Sequence, residues 1–316
     1  LAKYLREAPK SFLYKMLRKK NIVLNKKKAE GSEKLAEGDR VTFFLSAETI
    51  EKFAGISKKD PVWEGKADST GKESRMPEII YEDDHILLLN KPAGLLSQKA
   101  RPEDISAVEE ITAYLLRTGA VTETELRTFH PGVCNRLDRN TSGLLAAGKS
   151  LAGLQQLSEL FRDRTLRKYY RCLVKGQVKE EKHIKGWLVK DERINMVRIS
   201  DTPEKGEAVR IETAYTPVSV QTDVTLLEVH LITGKTHQIR AHLASQGHPL
   251  IGDYKYGERS VNDSYRSAYG VTHQLLHAYR LEFPVLSGTL SYLSGRSFIA
   301  EPPALFEKVC REKGLV

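Results

Sequence analysis

At 316 residues, 40% hydrophobic and 29% charged, the chain is long enough to bury a full core and too apolar to be disordered. No apolar stretch approaches membrane-span length, and the opening LAKYLREAPK lacks the apolar centre of a secretory leader. Cys134, Cys172 and Cys310 lie far apart without a CxxC pair, which argues against disulfides and zinc and for a reducing cytoplasm.

The net charge of +9 is unevenly placed: residues 1–40 carry twelve Lys/Arg against five acids, an excess of seven. A positive field concentrated on so short a stretch attracts a polyanion, RNA or DNA before others. On composition alone, a merely solvated basic surface is an equal reading.

In chain order, PKSFLYKMLRKK predicts a helix opening at Pro9, with Phe12, Leu13, Met16 and Leu17 on one face and Lys15, Arg18 and Lys19 mainly on the other. A short apolar strand (Ile22–Leu24), a turn at NKKK with Lys26, Lys27 and Lys28, and a Gly38–Asp39 turn before VTFFL follow. A basic amphipathic helix running straight into small strands suits gripping phosphates better than lying on a membrane. The ordered series of helix, lysine turn and GD turn resembles the small RNA-binding domain named after ribosomal protein S-four, over about residues 1–46. Residues 54–76, rich in Gly, Ser and charge with a lone Trp63, read as a linker. The resulting organisation is a basic module (1–53), a linker (54–76) and a larger domain (77–316).

From Pro77, PEIIYEDDHILLLNKPAG predicts a strand, an acidic turn and a strongly apolar strand (Ile86–Leu89), punctuated by KPAG. Beyond RLDRNTSG comes the buried strand LLAAG. A helix follows, capped by Ser150, with Leu151, Leu154, Leu157, Leu160 and Phe161 on one face. KYYRCLVKG and TLLEVHL continue as strands, the latter turning Leu227, Val229 and Leu231 to a core. Strands dominate without βαβ alternation, so the expected class is α+β with a largely antiparallel sheet.

No phosphate-loop, dinucleotide, zinc-protease or esterase signature occurs. His273 and His277 sit in a strand-like stretch, and Cys134 reads as a small buried residue. A cofactor-free site of ordinary side chains is what remains. Its focus is Asp138, between Arg136 and Arg139 in NRLDRNTSG. Flanking guanidinium groups favour a charged carboxylate, available as nucleophile or anionic stabiliser. In an extended segment one arginine could orient the acid and the other reach a phosphate. A plain structural ion pair is the competing reading.

The ordered series LNKPAG, RLDRNTSG, KYYRCLVKG, TGKTHQIRAHL and GDYKYG resembles the pseudouridine synthases of the RluA type, from about Pro77 to the end. With the basic module in front, it is most similar to their RluC branch, which modifies large-subunit ribosomal RNA. The resemblance implies enzymes that break the uracil–ribose bond of a uridine, rotate the base and rejoin it through carbon 5. It places the catalytic aspartate at Asp138, an aromatic partner at Tyr170, and at Arg240 the arginine that pairs with the aspartate. Family members usually carry His before RLDR where this chain has Asn135, which implies altered contacts to the target strand. The aspartate's act stays open between attack on the sugar's carbon 1′, attack on the base, and abstraction of a sugar proton. The flipped base would stack on Tyr170, the phenol lying near the proton that leaves carbon 5. Arg136 and Arg139 become candidate phosphate contacts, and the small residues after Asp138 would let backbone approach the RNA. The expected partner is RNA, the expected site cytoplasmic, and the expected state monomeric. An RNA-binding or assembly factor without catalysis, and a synthase acting on transfer RNA, are the alternatives; a phosphatase-type hydrolase ranks last, because Asn140 stands where its second acid belongs.

Overall fold

The structure, a computed structural model, describes residues 1–36, 38–54, 76–191, 193–194, 196–203 and 208–316. The linker expected at 54–76 falls outside the described residues except at its two ends, Trp63 included. Two compact units are present, Leu1–Ser74 with Ala113–His130, and Arg75–Thr112 with Pro131–Val316. A division at 76/77 therefore leaves out a later stretch of chain that belongs to the first unit.

The first unit begins with α1 (Lys10–Arg18), β1 (Ile22–Leu24), β2 (Lys27–Lys28), β3 (Val41–Phe43) and α2 (Ala47–Ala54). Leu13, Met16 and Leu17 are the buried face of α1. Met16 and Leu17 pack with Ile22 and Ala29, backed by Phe12, Val41 and Phe43. The β1–β2 hairpin turns on Asn25 and Lys26, both at positive φ (49° and 65°), the pairing that suits the right-handed twist of the strands. Asn25 then ties this turn to the GD turn: its Nδ2 donates to Asp39 Oδ1 at 2.7 Å and its Oδ1 accepts from Arg40 N at 2.8 Å. Lys27 and Lys28 thus stand on a strand, not in the turn.

The chain continues through β4 (Glu78–Glu82), β5 (Ile86–Lys91), α3 (Ala107–Arg117), α4 (Glu123–Leu126), β6 (Gly132–Val133), β7 (Ser142–Gly148), α5 (Leu151–Arg162) and β8 (Arg167–Lys175). Next come β9 (Lys182–Asp191), β10 (Met196–Ser200), β11 (Val209–Val220), β12 (Val224–Leu231), α6 (Gln238–Ser245) and α7 (Arg259–Tyr269). Then follow β13 (Leu276–Glu282), a 3-10 turn (Gly288–Leu293), β14 (Ser297–Ile299) and α8 (Ala304–Glu312). The second unit is built on one sheet of order β10-β9-β11-β12-β8-β13-β7-β5-β4, with β14 on β13 and β6 on β7. Among the described pairings of these strands only β7 and β13 run parallel. This is the α+β, largely antiparallel architecture expected from the lack of βαβ alternation.

Ile86–Leu89 in β5 and Leu144–Ala147 in β7 are wholly buried, because the central strands are covered on both faces. Leu157 and Leu160 of α5 pack there with Phe283 and Phe298. Each such side chain contributes about 1.5–3 kcal/mol. Ser150 caps α5 as expected, accepting from Gly153 N at 3.1 Å. Leu151 does not join the buried face: it is 57% exposed, and Gly153 takes the inward place on the first turn. Leu227, Val229 and Leu231 of β12 face the core as expected.

Gly143 corrects one sequence reading. It sits at φ +109°, and a Cβ there would stand 2.2 Å from the carbonyl oxygen of Ala278. The glycine after Asp138 is required by the close pairing of β7 with β13, which accounts for it without an approaching nucleic acid. Ser142 is likewise buried, bonded through Oγ to His277 Nδ1 at 2.8 Å. No helix among the described residues is long and apolar enough to cross a membrane.

Candidate active site and nucleic-acid interface

Asp138 lies in the segment joining β6 to β7, and that segment is pinned on both sides of it. Ser97 Oγ donates to Leu137 O and accepts from Leu137 N, both at 3.0 Å. Arg139 O accepts from Gly94 N at 2.8 Å and from Lys91 Nζ at 3.1 Å. Lys91, at the end of β5, is fully buried, and its ammonium also donates to Pro92 O (2.9 Å) and Leu95 O (2.8 Å). Burial pushes it down to about 7, against the pull of Asp138's negative charge. The KPAG turn is thus locked to the backbone carrying the acid. Sequence reasoning quoted LNKPAG without assigning Lys91; its signal was a lysine closing a strand that opens on four apolar residues, just before a proline.

The partner of Asp138 comes from α6. Arg240 Nη1 donates to Asp138 Oδ2 at 3.0 Å, while its Nε and Nη2 grip Asp253 at 2.7 and 2.9 Å. Asp253 has no exposed side-chain surface, and its Oδ1 also accepts from the backbone N–H of Lys255 (2.9 Å) and Tyr256 (3.2 Å). The guanidinium is therefore held in a two-pronged clamp that leaves one edge for Asp138. Burial opposes its charge, but both carboxylates raise its pKa. Arg136 and Arg139 are exposed, and none of the described ion pairs joins either to Asp138. The reading of a neighbour in sequence as the orienting arginine is thereby corrected: Arg240 holds that place. Asp253, within the quoted GDYKYG, was missed.

His237 precedes α6 in a left-handed conformation (φ 54°), uncommon outside glycine. Tyr256 Oη accepts from Val197 N and lies 2.9 Å from His237 Nδ1. The other ring nitrogen, Nε2, lies 3.9 Å from Asp138 Oδ2. Burial lowers the His237 pKa and keeps the ring neutral.

Tyr170 projects from β8 and is 7% exposed. Burial first, and Asp138's charge second, push its phenol above its usual value, so it rests protonated. Asp138, Tyr170 and Arg240 all line one cleft of about 1060 Å³. Eight lysines and arginines line that cleft, against a single carboxylate, that of Asp138. Such a lining suits a polyanion that must still present a neutral base to one acid.

Other expected residues fall elsewhere. Lys15, Arg18, Lys19, Lys26, Lys27 and Lys28 are exposed on the first unit. Asn135 spends its amide on the sheet: Nδ2 donates to Leu144 O at 3.1 Å, and Oδ1 accepts from Ala146 N at 2.8 Å. Burial pushes the Cys134 thiol up to about 11, which leaves it no nucleophile at neutral pH. His277 is bonded between Ser142 and Ala300 O and is driven down to about 4 by burial. Among the described residues no group of His, Cys, Asp and Glu could hold a metal ion.

Residues 85–245 match the family model described as RNA pseudouridylate synthase. The chain is 34% identical over 288 residues to the ribosomal large subunit pseudouridine synthase C of Vibrio vulnificus, covering 90% of this chain and 82% of that protein. The protein of the same name from Escherichia coli is 31% identical over 288 residues, covering 88% and 82%. Among solved structures, the fold is similar to human RNA pseudouridylate synthase domain containing 4, with a TM-score of 0.60, 20% identity, and 75% and 92% of the two chains covered.

Proposed function

The chain belongs to the RNA pseudouridylate synthase family, and on that premise we propose that it isomerises specific uridines of large-subunit ribosomal RNA to pseudouridine, with Asp138 as the reacting carboxylate. The observation that carries this is the 3.0 Å pair of Asp138 with a clamped Arg240, in a cationic cleft that also presents Tyr170. The substrate follows the names of the relatives at 31–34% identity.

The reaction exchanges one bond for another. N1–C1′ breaks, C5–C1′ forms, the proton on C5 leaves to solvent and N1 takes one up. No electrons are gained or lost, so the chain's own side chains suffice. Inside a helix the reacting carbons are stacked, and flipping the uridine out costs a few kcal/mol. In the cleft, Tyr170 gives the flipped base a flat partner, and its hydroxyl lies where the C5 proton departs. Arg240 aims Asp138 at the sugar or base and offsets the cost of carrying its charge there. Arg136 and Arg139, exposed at the rim, contact backbone phosphates. The first unit, with Lys15, Arg18, Lys19 and Lys26–Lys28, is an S-four-like RNA-binding domain that supplies sequence-independent affinity. The protein works as a monomer in the cytoplasm, where its free cysteines stay reduced.

The test is release of tritium from carbon 5 of uridine in unmodified large-subunit ribosomal RNA, by wild type beside Asp138→Asn. Wild type should release tritium and the variant should not. RNA binding without release by either protein would favour a non-catalytic assembly factor, and release from transfer RNA alone would move the substrate.

A further inference from the structure

We propose that Lys168 and Arg164 form a seat for one of the two phosphodiesters flanking the flipped uridine. The proposal rests on the reading that Tyr170 receives the base. Both cations line the same cleft as Asp138 and Tyr170. Lys168 is only 8% exposed, yet among the described residues its ammonium has no hydrogen-bond or ion-pair partner. Lys91, the other buried lysine of this region, gives three hydrogen bonds to carbonyls. A lysine this enclosed that finds no acceptor in the protein carries a partial desolvation cost, which an anion arriving in the cleft would offset.

The surroundings raise that cost. Burial lowers the pKa of Lys168, and the charge of Arg164 lowers it further. Asp163, beside Arg164 in the chain, is engaged with Arg162 at 2.9 Å, and Glu282, opposite Arg167 on β13, with Arg280 at 3.3 Å. Arg164 sits just past the C-terminus of α5 at φ 60°, a left-handed position that glycine fills most cheaply. A cation is therefore kept where the backbone would favour no side chain, beside a second cation that lacks a counterion.

The spacing fits a nucleotide. Lys168 and Tyr170 alternate with Tyr169 on β8, so they share one face, about 6.5 Å apart along the strand. Tyr169 turns to the other face and stacks on His230, ring centroids 4.8 Å apart. A separation of that order is what the sugar imposes between a base and its own phosphate. With uracil on Tyr170, the phosphate falls at the level of Lys168, and Arg164 closes on it from the end of α5.

The test crosses Lys168→Met, which keeps the aliphatic stem, with RNA made neutral at one linkage. The probes are the shortest ribosomal RNA fragment that releases tritium with wild type, and the same fragment with a methylphosphonate 5′ or 3′ of the target uridine. On native RNA the variant should bind about tenfold or more weakly, with a log–log salt slope shallower by about 0.7. On the RNA neutral at the seated linkage, variant and wild type should bind alike. The variant should also melt at or above the wild-type temperature, and Lys168→Arg should restore most of the binding. Unchanged binding, an equal loss on all three RNAs, or a lower melting temperature would overturn the seat. Tritium release by wild type alongside any of these would leave the proposed reaction standing. Failure of wild type to release tritium from any fragment would remove the reaction, and the seat with it.

Discussion

Replacing Asp253 by asparagine separates an arginine that is positioned from one that is merely paired. The two oxygens of Asp253 take four N–H bonds, from Arg240 Nε and Nη2 at 2.7 and 2.9 Å and from the backbone of Lys255 and Tyr256 at 2.9 and 3.2 Å. Asparagine keeps one oxygen. If that oxygen retains the three bonds at Oδ1, the amide nitrogen faces Arg240 Nε, donor against donor. An orphaned buried donor costs about 1–3 kcal/mol, and breaking a buried ion pair about 3–5 kcal/mol in all. At 2–4 °C for each kcal/mol, the melting temperature should fall by about 10 °C. Freed from its rear clamp, Arg240 no longer aims at Asp138, and a misplacement of about 1 Å costs on the order of 10²-fold in turnover. Asp138→Asn is the contrast. Its side chain is 25% exposed and takes one bond from Arg240, which stays clamped behind. That variant should lose activity altogether yet melt within about 1 kcal/mol of wild type. Thermal melts and tritium release on the three proteins decide it. An Asp253→Asn protein that melts and turns over like wild type would refute the clamp.

Tyr170→Phe should lower kcat by about 10²–10⁴-fold with little change in KM, whereas Tyr170→Ala should also weaken RNA binding by about 1–3 kcal/mol; wild-type turnover by the Phe variant would leave the ring with stacking alone. Lys91 holds its proton in the unfolded chain up to its ordinary 10.5 but in the fold only to about 7. Between those values the unfolded state binds more protons, so stability rises with pH, and wild type should gain about 2 kcal/mol over Lys91→Met from pH 7 to pH 9 in paired melts. Neutralising Lys15, Arg18 and Lys19 to glutamine should weaken RNA binding and flatten the log–log salt slope by about 2, with turnover at saturating RNA retained; unchanged binding would dismiss the first unit as an RNA grip. Asn135→Ala should lower stability by about 1–3 kcal/mol, by orphaning Leu144 O and Ala146 N, while RNA affinity stays within twofold. A loss of affinity at unchanged stability would return Asn135 to the target strand.

What could be read in the sequence was whatever depends on local periodicity. Ile86–Leu89, the Ser150 cap and the alternation of β12 announce themselves within a few residues, because burial and capping act over a turn or a pleat. The aspartate proposed to react announced itself too, through the ordered series around RLDR. Its support did not, because support is non-local. Arg136 and Arg139 look like the partners of Asp138 only along the chain; the arginine that bonds it stands 102 residues away, and resemblance, not pattern, pointed there. Asp253 was invisible for the opposite reason, since an acid among Gly and Tyr reads as any turn residue until a guanidinium is found against it. Gly143 shows the same limit in the backbone, its need set by Ala278 on a strand far later in the chain.

The supports share one design. Arg240 is gripped from behind by Asp253, Arg139 O is held by Lys91 and Gly94, and Leu137 is fixed by Ser97. Each bond restrains the neighbour or the partner of Asp138, and none occupies its second carboxylate oxygen. The acid is consequently immobile on three sides and open on the fourth, toward the cleft. That is the arrangement expected where a carboxylate must meet a base arriving from outside, because preorganisation spent before binding need not be supplied by the RNA. A purely structural ion pair would show the reverse: both oxygens engaged, the side chain sealed, and no reason for seven cations besides Arg240 to line the space before it.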